Sequence, residues 1–475
     1  MKDHFPSLSL RNELLKGIKE LGFKQPTPIQ NKVIPHVLFS KQDLIATAQT
    51  GTGKTAAFGL PLLQLTNVAN KSIQGLILCP TRELCLQIGK DLSSYSKYLK
   101  GINILSVYGG EKIQKQIKNF KKNPQIIVGT PGRTRDLIER KKLFLGNVKR
   151  LILDESDEML SMGFKEDLEF ILRSTSIDKQ ILLFSATITK KVDAVTKKYM
   201  NLPSKISVAS INRSADNINH IVHIVQAKDR YEVVKRIADI NPNIYGIVFC
   251  RTRRETKEVA NKLISDHYNA DTIHGDLAQS ERAEVMMRFR KKKIQILVAT
   301  DVAARGLDVE ELTHVINYNL PDDDETYIHR SGRTGRAGRN GVSVAIVHGR
   351  ENQRIKNIER KTGIHFKKQL VPDGLEICKK RLYSLIDKIE RVDVDEKQIK
   401  QFLPYIYDKL NWLDREELIK HFVSIEFNRY LSYYRNSKDI NIDYHTKEER
   451  KSKRPKRNRR KFNNSRRHKR RGSKS

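Results

Sequence analysis

The chain has 475 residues, more than one hydrophobic core organises, so two principal domains with additions are expected. Its 90 Lys and Arg outnumber 55 Asp and Glu, and the formal net charge of +35 makes a polyanion the natural partner. A membrane is not expected in that role, because no signal-like apolar stretch opens the chain and no run approaches the ~20 apolar residues of a spanning helix. Cys79, Cys85, Cys250 and Cys378 form no CxxC pair. They read as reduced core residues of a cytosolic, cytoplasmic protein without a metal site.

In chain order, Phe5 and the run GFKQPTPIQ (Gly22 to Gln30) come first. A glutamine amide such as Gln30 can make two hydrogen bonds to an adenine edge, and an aromatic such as Phe23 can cover a base. The same residues read equally well as a helix entry with Pro28 in its first turn. From Ala48 the chain continues Gln49, Thr50, Gly51, Thr52, Gly53, Lys54, Thr55. A glycine-rich turn between strand and helix aims backbone N–H groups and the positive helix end at one spot, which suits a triphosphate. Lys54 then reaches the outer phosphates, and the Thr55 hydroxyl meets Mg²⁺. The strict pattern has glycine where this chain has Ala48. About a hundred residues on, the apolar run LILDESD delivers Asp154 and Glu155, the metal-and-water partners such a loop requires.

Short apolar runs alternate with helical patterns from Gln42 to Thr187: DLIATA, GLILCP, ILSVYGG, QIIVGTP, RLILDES and QILLFSAT. Runs of this kind are strands buried on both faces of a parallel sheet, with helices on either side. The alternation breaks in a polar stretch around Ser210 to Asn219. It restarts with HIVHIVQA, GIVFCRT, DTIHGD, QILVATD, HVINYNL and GVSVAIVHG, a second α/β domain. Beyond Gly349 helical spacing takes over. Leu375, Cys378, Leu382, Leu385 and Ile389 form one stripe; Ile399, Phe402, Leu403, Ile406 and Leu410 form another; Asp414 and Glu417 cap a third helix through Leu418, Phe422 and Ile425. Trp412 and Tyr405 are expected in the core. Thr446 to Ser475 carries 16 Lys and Arg against 2 Glu with little that is apolar, the composition of a disordered tail.

PTREL (Pro80 to Leu84), Gly109-Gly110, TPGR (Thr130 to Arg133), SAT (Ser185 to Thr187), VFCRT (Val248 to Thr252), QSER (Gln279 to Arg282), ATDVAARGLD (Ala299 to Asp308) and HRSGRTGR (His329 to Arg336) follow in order. Together with the two segments above, this set resembles the DEAD-box RNA helicases over nearly the whole of residues 1 to 350. The naming motif here is Asp154-Glu155-Ser156-Asp157, with serine where the family usually has alanine. Asp157 separates the chain from the related group with histidine at that place.

The resemblance implies two tandem RecA-like domains: residues 1–210 and 220–364, joined by a linker at 211–219, with a helical extension at 365–445 and the basic tail at 446–475. It implies ATP and Mg²⁺ as cofactors. Asp154 with Thr55 holds the metal, Glu155 orients or deprotonates the attacking water, and Lys54 contacts the β and γ phosphates. Asp308 meets the ribose, and Arg333 and Arg336 are arginine fingers, a role not extended to Arg330 or Arg339. RNA is held through Thr81, Arg82, Gly110, Thr130 and Arg133 from the first domain and Gln279, Arg282 and Thr300 from the second. Such contacts address phosphate and 2′-OH, so sequence is not read. Ser185 and Thr187 link the two sites through Asp157 and His329, although strand-end capping hydroxyls would look the same.

The expected function is ATP hydrolysis to ADP and phosphate, coupled to local unwinding of RNA duplex or remodelling of RNA–protein complexes. One rival is a non-catalytic RNA-binding clamp or chaperone, which has no need of Lys54, Glu155, Arg333 and Arg336. Another is a processive DNA translocase, which the QSER and TPGR elements disfavour. The extension resembles that of cold-shock-type bacterial members, where it can serve dimerisation. Ribosome assembly and RNA degradation are both open as settings.

Overall fold

The computed structural model describes residues 4–48, 51–208, 217–304, 309, 311–335, 339–435 and 437–441. Gln49, Thr50, Asp308, Arg336, most of the linker and the basic tail lie outside the described residues.

The first sheet contains β1 (Leu44–Thr47), β2 (Gly75–Leu78), β3 (Ile104–Val107), β4 (Ile126–Gly129), β5 (Arg150–Leu153), β6 (Gln180–Ser185) and β7 (Ser204–Ser207). Their order is β3-β4-β2-β5-β6-β1-β7, and every pairing is parallel. β2, β4 and β6 are buried throughout, as strands covered on both faces must be. Along β1 the pleat divides the side chains: Leu44 and Ala46 join the core under the helices Pro28–Phe39 and Lys54–Leu65, while Ile45 joins the opposite core with Leu137, Met159 and Ile171. Phe58 and Phe184 meet edge-on at 5.1 Å on the first of these faces.

The second sheet contains β8 (Ile218–Ile224), β9 (Gly246–Phe249), β10 (Ala270–Ile273), β11 (Ile296–Ala299), β12 (His314–Asn317), β13 (Gly341–Val347) and β14 (Lys367–Lys368). Its order is β10-β11-β9-β12-β13-β8-β14, again all parallel. The fold is thus two tandem RecA-like parallel-sheet units followed by helices.

Strand order sorts the motifs. Ligand groups in such sheets sit beyond the carboxyl ends of the strands. In the first sheet the phosphate loop, the DESD turn and SAT leave β1, β5 and β6, on one side of β2, whereas TPGR and the glycine pair leave β4 and β3 on the other. In the second, QSER and Thr300 follow β10 and β11, while His329 and Arg333 follow β12. Two lines of groups therefore run side by side, with β2 between them in the first sheet and β9 in the second.

The extension consists of the helices Gly374–Arg391, Glu396–Ile399, Leu403–Leu410 and Arg415–Tyr434. Asp414 caps the last through Glu417 N at 2.8 Å. Its packing departs from the sequence expectation. Ile377, Cys378, Phe427 and Tyr434 form a small core with Ile240. Arg236, 2 % exposed, locks it on by donating to the carbonyls of Pro372 and Lys438. Trp412 and Tyr405, expected in the core, are instead 71 % and 68 % exposed, and Leu375, Phe402 and Ile425 are exposed as well. Among the described residues the extension seats on the second domain through this core, and those faces stay exposed.

Candidate nucleotide and RNA site

The phosphate loop is built on backbone that only glycine adopts without strain: Gly51 and Gly53 have φ of +82° and +85°. Gln30, 3 % exposed, braces it. Its Oε1 accepts from Thr27 N at 2.9 Å and its Nε2 donates to Gly53 O at 3.1 Å. A Cβ on Gly53 would lie 2.4 Å from that Nε2. The amide keeps one donor and one acceptor position for a base edge, so the brace is an addition that the sequence did not disclose. Phe23 is half-buried between the rings of Phe5 and Tyr95, at 6.0 and 5.9 Å. Ala48 is buried, and its N–H donates to Ser185 O at 3.1 Å, joining the loop to SAT.

Lys54 opens the helix Lys54–Leu65 and is 7 % exposed, yet its Nζ has no hydrogen-bond partner among the described residues. A buried ammonium in that state costs several kcal/mol unless an anion meets it, so the position suits a phosphate. Thr55 follows it, half-buried. Asp154 is 3 % exposed. Burial pushes its carboxyl up to about 6 against the pull of Lys54. Glu155 sits at φ +49°, a strained turn that swings the chain from β5 into the helix Ser156–Ser161.

Asp157, 6 % exposed, grips SAT: its Oδ2 accepts from Thr187 Oγ1 at 2.9 Å, Thr187 N at 3.0 Å and Ala186 N at 3.2 Å. Ser185 Oγ donates to Thr187 O at 2.6 Å. His329 comes from the second domain, and its Nδ1 bonds Glu158 rather than Asp157. Burial works against a charged ring there. The Glu158 hydrogen bond and the carboxylates of Asp157 and Glu155 outweigh it and hold His329 above its ordinary value. Glu158 was not singled out from the sequence, since nothing in the spacing shows which acid the other domain will reach.

One cleft is lined by Lys54, Glu155 and Asp157 from the first domain and by Phe249, His329 and Arg333 from the second. Arg330 also faces it but is spent on structure. Its guanidinium holds Asp301 through two bonds, at 2.5 and 2.8 Å, and donates to Asn317 Oδ1 and Asn319 O. Arg339 pairs with Glu311 at 2.6 Å.

On the neighbouring line, Thr81 caps the helix Arg82–Tyr95 through Leu84 N at 3.3 Å, and Arg82 lies 4.6 Å over the Tyr108 ring. Gly110 has φ +82°, and a Cβ there would come 3.6 Å from Arg82 Nη1 and 3.7 Å from Gln279 Cγ. The two domains thus meet at this glycine. Gln279 Nε2 donates to Glu83 Oε1 at 3.3 Å, with Arg282 3.9 Å from the same oxygen. Thr130 and Thr300 are buried at the ends of β4 and β11. Arg133 donates to Gln116 Oε1 and Glu111 O, each at 3.0 Å, and so fixes the loop after Gly110.

Comparison with known proteins agrees with this geometry. The DEAD/DEAH box helicase family matches residues 27–195, the helicase conserved C-terminal domain matches 229–338, and a helical domain described from a probable ATP-dependent RNA helicase matches 377–435. The chain is similar to the DEAD-box ATP-dependent RNA helicase CshA of Bacillus cereus, 47 % identical over 75 % of this chain and 68 % of that protein. With the CshA of Limosilactobacillus reuteri it is 43 % identical over 82 % and 78 %. Among solved structures, S. cerevisiae Dbp5 bound to RNA and ADP BeF3 covers 80 % of this chain and 100 % of its own at 32 % identity, with a TM-score of 0.72. Mss116p bound to ssRNA and AMP-PNP covers 95 % and 94 % at 26 % identity, TM-score 0.69. By these matches and by the ordered motifs on its two sheets, the chain belongs to the DEAD-box ATP-dependent RNA helicases.

Proposed function

We propose that the protein is an RNA-stimulated ATPase that separates short RNA duplexes or remodels RNA–protein complexes. The observation that carries this reading is the shared cleft, where the ammonium of Lys54, without a hydrogen-bond partner among the described residues, and the guanidinium of Arg333 come from different domains. ATP placed there would have its outer phosphates on Lys54 and the loop amides, and the adenine edge on Gln30 beside Phe23. Glu155 orients the attacking water and takes its proton. Arg333, with Arg336, offsets charge on the transferring phosphoryl group. Asp154 and Thr55 would be the oxygen donors for Mg²⁺, which when bound would shield the phosphate charge.

RNA lies along Thr81, Arg82, Gly110, Thr130, Gln279, Arg282 and Thr300, where threonine hydroxyls, arginines and an exposed glycine amide address the backbone and not the bases. Arg133 contributes by holding the Gly110 loop. Since each site needs both domains, nucleotide and RNA favour the same closed arrangement, and each raises affinity for the other. The tail adds phosphate affinity through charge alone.

Further parts of this reading are a cytoplasmic setting, supported by four buried free cysteines, and a homodimer through the exposed apolar faces of the extension. Ribosome assembly and RNA decay are the two settings that suit such a protein. Measuring ATP hydrolysis with RNA, with DNA and without nucleic acid tests the central claim. Stimulation by RNA alone is expected. Equal stimulation by DNA points to a translocase, and no hydrolysis at all to a clamp.

A further inference from the structure

Serine at 156, where the family usually has alanine, is 1 % exposed, and its Oγ donates to the Phe184 carbonyl at 3.3 Å. The sheet explains why that carbonyl is free to accept. Ser185 O takes the Ala48 N–H on the β1 side, so the alternation of a strand turns the preceding carbonyl towards β5. The β5–β6 ladder, however, ends at the Leu153–Leu183 pair. Beyond it the chain leaves the strand through Glu155 at φ +49°. Phe184 O is one residue past the last rung, and the Ser156 hydroxyl fills the place of the missing strand amide.

We propose that Ser156 is a positioning residue for hydrolysis, tying the turn that carries Glu155 to the strand end that becomes Ser185–Ala186–Thr187. Asp157 already holds that segment through Thr187 and Ala186. One anchor lets the turn pivot. A second, on the adjacent residue, fixes its direction and with it the aim of the Glu155 carboxylate. The proposal rests on the role given to Glu155 above. Ser156 carries no charge and lies beneath the turn, so its removal should act on turnover and leave nucleotide binding alone.

The test is Ser156→Ala in the full chain, assayed for ATP hydrolysis at saturating RNA. Alanine suits this position in relatives, so folding is expected to survive. Turnover should fall about fivefold, equivalent to ~1 kcal/mol, with KM for ATP changed by less than about twofold. Ser156→Cys, with a thiol that is a weak donor, should give an intermediate kcat. A structural role alone would lower the melting temperature and leave kcat untouched. Unchanged or raised kcat in Ser156→Ala overturns the proposal, as does a KM that rises in step with the loss. Glu155→Gln is measured alongside. Full turnover in that variant removes the Glu155 role itself, a result distinct from an unaltered Ser156→Ala.

Discussion

Nδ1 of His329 and Oε1 of Glu158 are hydrogen-bonded across the boundary between the two domains. The histidine side chain is 17 % exposed and the glutamate 9 %, so water screens the pair little. His329 is held above 6.5 by its acidic neighbours. A group raised in this way contributes fully at low pH, and its contribution is lost as pH rises through the raised value. The closed, RNA-bound state should therefore loosen by about tenfold in RNA affinity between pH ~6 and pH ~9 when a non-hydrolysable ATP analogue is present. Glu158→Gln should flatten that dependence. A slope equal to wild type in Glu158→Gln would assign the titration to another group.

Lys54→Ala and Glu155→Gln should differ in kind. Lys54 is buried and aimed into the cleft, so its loss removes charge from ground and transition state alike: nucleotide affinity and hydrolysis both fall. Glu155→Gln keeps the shape and removes the carboxylate proposed as the base. Binding should persist while turnover drops by about 10² or more, trapping RNA in the closed state. Equilibrium titration with a fluorescent ATP analogue separates the two, and equal loss of binding in both variants would count against the assignment of Glu155.

What the sequence disclosed follows from how each feature is encoded. The central strands were legible because a strand buried on both faces must be a short unbroken apolar run. β7 was not, since SKIS is an edge strand with alternating burial, and β14 is two exposed lysines. Lys54, Asp154 and Arg333 were singled out because phosphate chemistry restricts the residue type and its spacing, and Lys54 and Arg333 line one cleft. The Gln30 brace on Gly53, the Arg133 bonds to Gln116 and Glu111, and the choice of Glu158 by His329 depend on which loops meet, and local pattern says nothing of that. The extension shows the same limit. Its stripes announced helices, but periodicity cannot tell whether a stripe has a neighbour to cover it.

Arg330 lies in the last turn of the helix Asp324–Ser331 and Arg333 just beyond its end, and the two should fail differently. Arg330 is 3 % exposed, with Asp301, Asn317 and Asn319 as partners, so Arg330→Ala leaves a carboxylate and two buried acceptors short of donors. It should destabilise the second domain by about 3 kcal/mol. Arg333→Ala should lower the ATPase maximum by about 10³, with RNA affinity in the absence of nucleotide unaltered. Collapse of RNA binding in step with hydrolysis would make Arg333 a phosphate contact for RNA.

The helical extension presents Trp412 at 71 %, Tyr405 at 68 % and Ile425 at 79 % exposure, large apolar groups that a monomer rarely leaves in water together. Contact between two copies would cover such faces and offset the repulsion expected of chains with a net charge of +35. Sedimentation at increasing protein concentration should then show a dimer. Trp412→Glu with Tyr405→Glu should shift it towards monomer by at least about tenfold in dissociation constant, the loss of two buried aromatic contacts. Folding should be spared, because neither side chain packs into the Ile377–Cys378–Phe427–Tyr434 core that seats the extension on the second domain. ATP hydrolysis at saturating RNA should also persist, since both positions lie outside the cleft lined by Lys54 and Arg333. A monomer in wild type and variant alike would end the dimer reading and leave these faces to another partner.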